Sequence, residues 1–302
     1  MVDRLRAEHL KIPGGPVITI KTAILIIFAV AALAIACSDI GGPDTSGPVV
    51  RRVPSRYATI RAAVDSSGVG DTILIADGLF TGDGNRDIDL SDKILTVLSE
   101  NGPDKTIIDC DGQIGDEHYG FYISGSGSRI IIDGLTIRHA LFNLGAAIGV
   151  ENANPTIRNC IFDNNQATVS GGGLRCKGAS PSVTGCTFAK NSAMAGGAMF
   201  LIAGSVPTIE NCLIAYNTGG EAIYISETSS IPTIICTDIY DNDGGDWTIR
   251  IADQAGANNN INLNPLLVDF LAGDYHLQPG SPCAEANNDC GDNMGALSVA
   301  EE

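Results

Sequence analysis

Three stretches, NPTIRNCIFDNN (154–165), SPSVTGCTFAKN (180–191) and VPTIENCLIAYN (206–217), repeat one pattern of proline, apolar residue, cysteine, apolar residue and asparagine. With IPTIICTDIYDN (231–242) they place Pro155, Pro181, Pro207 and Pro232 at intervals of 26, 26 and 25 residues. Two places after each proline stand Ile157, Val183, Ile209 and Ile234, and seven places after stand Phe162, Phe188, Ile214 and Ile239. Five places after come Cys160, Cys186, Cys212 and Thr237, small residues that face the same way as the seventh place because strand side chains alternate with period two. The step from second to fifth place is odd, so the chain must bend between them. At the bend stand Asn159, Gly185 and Asn211, residue types that readily accept positive φ. Ten places after the proline, Asn165, Asn191, Asn217 and Asn242 form an unbroken row, which predicts a ladder of stacked side-chain amides.

A period near 25 residues, built of short strands joined by bends and Gly-rich turns such as GGGLRCKGA, is the signature of a solenoid. Leucine-rich repeats share the length but require a Leu lattice that is absent, and propeller blades need about 40 residues. A parallel β-helix remains. Its cysteines would form an inward ladder about 4.8 Å apart, of free thiols used as small apolar fillers rather than disulfides, because stacked parallel side chains point alongside one another. Cys176, between Arg175 and Lys177, is expected inside as well. The earlier IIIDGLTIRHA (130–140) fits the register, with Gly134 at the bend and Ile132, Leu135 and Ile137 inward.

On these residues the chain from 71 to about 262 resembles the right-handed parallel β-helix repeat proteins, the superfamily that includes pectate lyases and polygalacturonases. The resemblance implies an all-β solenoid of about seven or eight rungs, roughly 35 Å long, with a short amino-terminal capping helix. YATIRAAVDSSGVGDTILIADG (57–78) supplies that helix, with Ile60, Ala63 and Val64 on one face, and distantly resembles the entry to pectin methylesterases. NPLLVDFLAGDYHLQPGSPC (264–283) resembles the terminal segment of exported bacterial β-helix proteins, with Tyr275 and Leu277 expected over the last rung. The expected organisation is a leader (1–37), a flexible tether (38–56), the β-helix with its cap (57–262) and a capping segment (263–302).

The leader carries Arg4, Arg6, Lys11 and Lys21 before the run AILIIFAVAALAIAC (23–37), whose fifteen residues fall short of the roughly 20 that span a bilayer. Ala36-Cys37 resembles the lipobox of bacterial lipoproteins, with Cys37 as the acylated residue and Ser38 implying outer-membrane sorting. Ordinary signal cleavage with secretion and an uncleaved anchor are the alternatives. Eight further cysteines fit an oxidising compartment, and Cys283 and Cys290, flanking CAEANNDC, are the expected disulfide.

A net charge of −17 excludes a phosphate-backbone binder and repels a polyanionic sugar unless a cation bridges it. Without residues 1–37 the chain loses four basic and two acidic groups and stands at about −19. Catalytic strings are scarce. Polygalacturonases carry a Gly-His-Gly that is missing here, pectin methylesterases an Asp-Phe-Ile-Phe-Gly that is missing too, and no two aspartates are adjacent. His118, His139 and His276 lie far apart in the sequence and are expected on the surface. The candidate calcium ligands are Asp83, Asp87, Asp109, Asp111 and Asp116, in oxygen-rich loops that do not match an EF-hand; Asp241, Asp243 and Asp246 form a further acidic loop. Tyr119, Phe121 and Tyr122 are a candidate sugar-stacking surface, with one ring at least in the core. The expected function is an envelope-attached or secreted monomer that binds or displays, touching polysaccharide without catalysis. The alternative is a divergent polysaccharide lyase or glycoside hydrolase. Fold alone does not choose between them, because function lives in sites grafted on folds.

Overall fold

The computed structural model describes residues 47–301. The chain winds through about seven turns and lays its strands on three long parallel faces. The first face has eight strands, from Val50–Val53 and Asp71–Ile75 through Thr156–Arg158, Ser182–Thr184 and Thr208–Glu210 to Thr233–Ile235. The second has seven, from Gly78–Phe80 to Asp238–Tyr240, and the third has six, from Ile88–Asp89 to Ile223–Ile225. A fourth, shorter sheet runs from Leu141–Leu144 to Thr218–Gly219. Every pairing in these four is parallel and joins residues one turn apart, such as Ile157 with Val183 and Phe162 with Phe188.

The register makes the interior a set of columns. Ile73, Val97, Ile132, Ile157, Val183, Ile209 and Ile234 stack on the first face, all fully buried. Ile137, Phe162, Phe188, Ile214 and Ile239 stack on the second, where the rings of Phe162 and Phe188 lie parallel with centroids 4.4 Å apart. Cys176 stacks between Val150 and Leu201 on the third. Cys160, Cys186 and Cys212 are buried and free. Each thiol donates to a carbonyl of its own turn, Arg158 at 3.1 Å, Thr184 at 3.4 Å and Glu210 at 3.2 Å, so the small polar group is satisfied inside an apolar column.

Two corners make this winding possible. The first is the bend at Gly134, Asn159, Gly185, Asn211 and Cys236, all with φ between 49° and 70°. The second lies nine places after the proline, where His139, Asn164, Lys190, Tyr216 and Asp241 have φ between 52° and 60°. Next to that corner the four asparagines form a ladder. Nδ2 of Asn165, Asn191 and Asn217 donates to Oδ1 of the next asparagine at 2.9, 3.0 and 2.8 Å, and Asn242 ends the row on Asp246 at 2.7 Å. The Oδ1 of Asn191, Asn217 and Asn242 also receives the backbone N–H of the preceding ladder residue, so these buried amides just past the left-handed corner are paired.

The amino-terminal helix, Ile60–Asp65, buries Ile60, Ala63 and Val64, and the Thr59 hydroxyl caps it by accepting from the Ala62 N–H. Residues 50–53, expected in the tether, instead form the first strand. The cause is Asp71, whose carboxylate gathers the N–H groups of Val49 and Gly68, each at 2.8 Å, and Nε of Arg51 at 2.7 Å. Burial alone would raise this carboxyl, but those donors and the Arg51 charge outweigh it and hold it below the usual range.

At the other end Tyr275 and Leu277 do not cover the last rung. Ile251 fills that position, and amides close the exposed strands: Gln254 accepts from Ile234 N–H and donates to Pro232 O, each at 2.9 Å, while Asn260 accepts from Thr237 N–H at 3.1 Å. The segment after 263 forms an antiparallel hairpin, Leu267–Asp269 with Asp274–Leu277, and returns along the outside of the second face as a strap. It buries the outward side chains Ile161, Ala189, Leu213 and Ala215 under Leu267, Tyr275, Leu277, Cys283 and Met294. Gly295 N–H donates to Asn211 O and Ala296 N–H to the Thr187 hydroxyl, both at 2.9 Å. Only glycine fits at 295, where φ is 116° and a Cβ would lie 3.0 Å from the Thr187 oxygen.

The expected Cys283–Cys290 disulfide is replaced by Cys236–Cys290, which spans 54 residues. Cys236 stands at the outward bend, where the other turns carry Asn or Gly, and so points at the strap. Cys283 is a buried free thiol that donates to Asp238 Oδ2 at 3.2 Å.

Candidate functional site

The strap leaves a cleft of about 500 Å³ between its hairpin and the earlier turns of the second face. Its floor is Thr136, Arg138 and Ile161, its rim Lys105, His139 and Lys190, and its far wall Gly273 to His276. Arg138, Asp163 and His139 are on the cleft because the eighth and ninth places of each turn point out of the solenoid at the second corner. Lys190 comes from the corresponding corner of the next turn.

Every charged side chain of this cleft has an opposite partner, with Asp109 shared by two basic groups. Arg138 Nε lies 2.8 Å from Asp109 Oδ2, and His139 Nδ1 lies 3.1 Å from the same carboxylate. Lys190 Nζ is 3.2 Å from Asp163 Oδ1, which also accepts the Tyr275 hydroxyl at 2.6 Å. Lys105 pairs with Asp104 at 2.8 Å and His276 with Asp274 at 2.7 Å. Burial would raise the Asp109 carboxyl, but the hydrogen bond of Arg138 and the charge and hydrogen bond of His139 hold it below its ordinary value. Asp274 is likewise held low, by the His276 backbone and ring against its own burial. Burial pushes the Tyr275 phenol well up, and the Asp163 charge adds to the effect, so Tyr275 is a hydroxyl donor at every ordinary pH. One acid is pushed strongly upward, Asp238, to about 7 by burial, partly opposed by the Leu263 N–H and the Cys283 thiol; it is fully buried and faces Cys283, outside the cleft.

The candidate calcium ligands do not converge. Asp83 is exposed and pairs with Arg86 at 3.3 Å; Asp87 and Asp116 sit on opposite nitrogens of His118 at 2.7 and 3.1 Å; Asp109 is taken by Arg138 and His139; Asp111 Oδ1 accepts from Gln113 at 3.4 Å. Among the described residues no three acidic, His or Cys groups are placed to hold a metal ion. In the acidic loop 241–246, Asp246 serves as an acceptor for Asn242 and Asn262. Phe121 is a core residue, and Tyr119 packs edge-on against Phe142 at 5.1 Å, so the three rings form no shared platform. Cys37 lies outside the described residues.

Sequence reading missed the cleft. Its scattered basic residues, Lys105, Arg138 and Lys190, meet along one edge of one face, and His139 and His276 with them. A signal was present: Ile161 and Leu213, six places after their prolines, are apolar residues at an outward position and mark a covered surface. Arg175 and Lys177, on either side of Cys176, are two further basic side chains, but both face outward on the third face, away from the cleft.

Comparison with known proteins adds the family. The family described as right handed beta helix region matches residues 97–262. No curated protein matches the chain. Among solved structures, the rice weevil pectin methyl esterase is similar over 82% of this chain and 96% of that one, at 12% identity and a TM-score of 0.29, a likeness that carries no argument about activity.

Proposed function

We propose, for a chain that belongs to the right-handed β-helix family, that it binds a neutral glycan in the cleft between the second face and the strap, and does not cleave it. The observation that carries this reading is that every charge of the cleft already has an opposite partner. A ligand with net charge would have to break Arg138–Asp109 or Lys190–Asp163, whereas hydroxyls can insert beside each pair as both donors and acceptors. Acid–base cleavage needs a carboxyl poised to give or take a proton near the working pH. Asp109 and Asp274 are held low instead, and the Asp163 carboxylate already accepts from Tyr275. Attachment to the envelope through an acylated Cys37 completes the proposal, and predicts that Cys37→Ala releases the protein from membranes.

The test is to run the purified protein through native gels containing neutral glycans, pectate or alginate, with and without calcium, while assaying for unsaturated products and new reducing ends. Retardation by neutral glycans without products supports the reading. Calcium-dependent unsaturated products, or reducing ends lost on Asp163→Asn, would replace it with the lyase or hydrolase alternative.

A further inference from the structure

The last strand of the third face, Ile223–Ile225, ends its sheet, and no later strand joins it. In a parallel ladder alternate residues bond to opposite neighbours. Ala222 O accepts from Met199 N–H, and Ser226 N–H donates to Leu201 O, so the Ala222 carbonyl, Tyr224 and the Ser226 amide face the preceding turn, while the Ala222 N–H turns forward to Gly245 O. Ile223 and Ile225 therefore turn their N–H and C=O groups away from it, as Met199 and Leu201 do to receive this strand. Those four backbone groups have no partner among the described residues. The amides of Gln254 and Asn260 close the end of the first face, and Ile261 bridges to Asp238 on the second. The third face has no such closure. The chain leaves after Gly245 and comes back as Thr248–Arg250, which with Glu221 and the strand bounds an open groove of about 430 Å³. Ile249 is 96% exposed on its outer lip.

We infer that this edge takes up an extended polypeptide strand, basic in its flanks and aromatic at the position facing outward beside Tyr224. Two donors and two acceptors at strand spacing are complemented by another backbone. The aromatic preference follows from the outward column, where the Arg175 guanidinium lies 5.9 Å from the Phe200 ring and Phe200 and Tyr224 stack at 5.2 Å. Tyr224 presents the free face of that stack to the next turn. The basic preference follows from charge. Glu221 and Arg250 offset each other in the groove, leaving the field of a chain with net charge −17 to attract a cationic segment and repel a second copy of the same chain.

The experiment measures fluorescence anisotropy of labelled peptides with the full chain. The probes are Lys-Lys-Ile-Tyr-Ile-Lys-Lys, its counterpart with every Lys replaced by Glu, and the basic peptide N-methylated on alternate amides in either phase. Binding of the basic peptide at least tenfold tighter than the acidic one, abolished by one phase of N-methylation and weakened by Ile225→Pro, is the expected result. The N-methyl peptides leave the protein unaltered, so they decide the matter even where the proline variant unfolds. Equal binding of acidic and basic peptides, indifference to N-methylation in both phases, no binding of any peptide, or a protein dimer that Ile225→Pro dissolves would overturn the proposal.

Discussion

The Tyr275 hydroxyl donates a 2.6 Å hydrogen bond to Oδ1 of Asp163, a residue 112 positions earlier in the chain. The contact ties the strap to the wall of the solenoid, and Lys190 completes it from the adjoining turn at 3.2 Å. Tyr275→Phe removes one donor to a carboxylate while leaving the ring in place. It is expected to lower stability by about 1.5–3 kcal/mol, the range for hydrogen bonds to charged groups, read from the denaturant midpoint. Glycan retardation in native gels should weaken with it, since the hairpin forms the far wall of the cleft.

The disulfide gives a second expectation. Peptide mapping under non-reducing conditions should recover Cys236 joined to Cys290, with Cys283 available for alkylation only after unfolding. Cys290→Ser should destabilise by about 2–5 kcal/mol. Recovery of a Cys283–Cys290 peptide would contradict the arrangement described above.

Asn191 sits mid-ladder, accepting from the backbone and side chain of Asn165 and donating to Phe162 O and Asn217 Oδ1. Asn191→Ala leaves several of these groups buried without partners, at about 1–3 kcal/mol each. A loss of at least 3 kcal/mol in chemical denaturation is expected, larger than for the row's end at Asn242, which is not fully buried.

Asp238 makes stability depend on pH. Its folded carboxyl is pushed up to about 7 from an ordinary 3.8, so between those values the folded state keeps a proton that the unfolded chain has lost. Stability contributed by this group is full below about pH 4, declines as pH rises, and is lost above about 7. Asp238→Asn should flatten that part of the profile and raise the melting temperature at pH 8 relative to the parent. An unchanged slope between pH 4 and 7 would show that the carboxyl is not desolvated under the strap.

The inner columns of the solenoid were legible because each carries one chemical demand repeated at one spacing. Ile157, Cys160, Phe162 and Asn165 have counterparts a turn later, and the structure stacks every one of them. The strap was not legible, because it is a single passage without a repeat to average over. Tyr275 and Leu277 read correctly as buried, but burial alone does not say whether they cover an end or a side. Cys290 was assigned to its neighbour in sequence, although Cys236 occupied a bend position that elsewhere holds Asn or Gly. The cleft follows from the strap, so the outward apolar residues Ile161 and Leu213 were its one trace in the sequence, and its charged residues read as scattered.

The strap touches successive turns at Asp163, Thr187, Asn211 and Cys236, meeting them at Tyr275, Ala296, Gly295 and Cys290. A bare solenoid tolerates gain or loss of a repeat, because each copy sees only its neighbours. Here an extra copy inserted between Pro181 and Pro207 would carry Asn211 and Cys236 about 4.8 Å further from Asp163 and break the match at one end or the other. The clasp therefore acts as a ruler: between residues 163 and 236 the architecture admits one number of coils, and a duplication tolerated elsewhere along the solenoid would be selected against there.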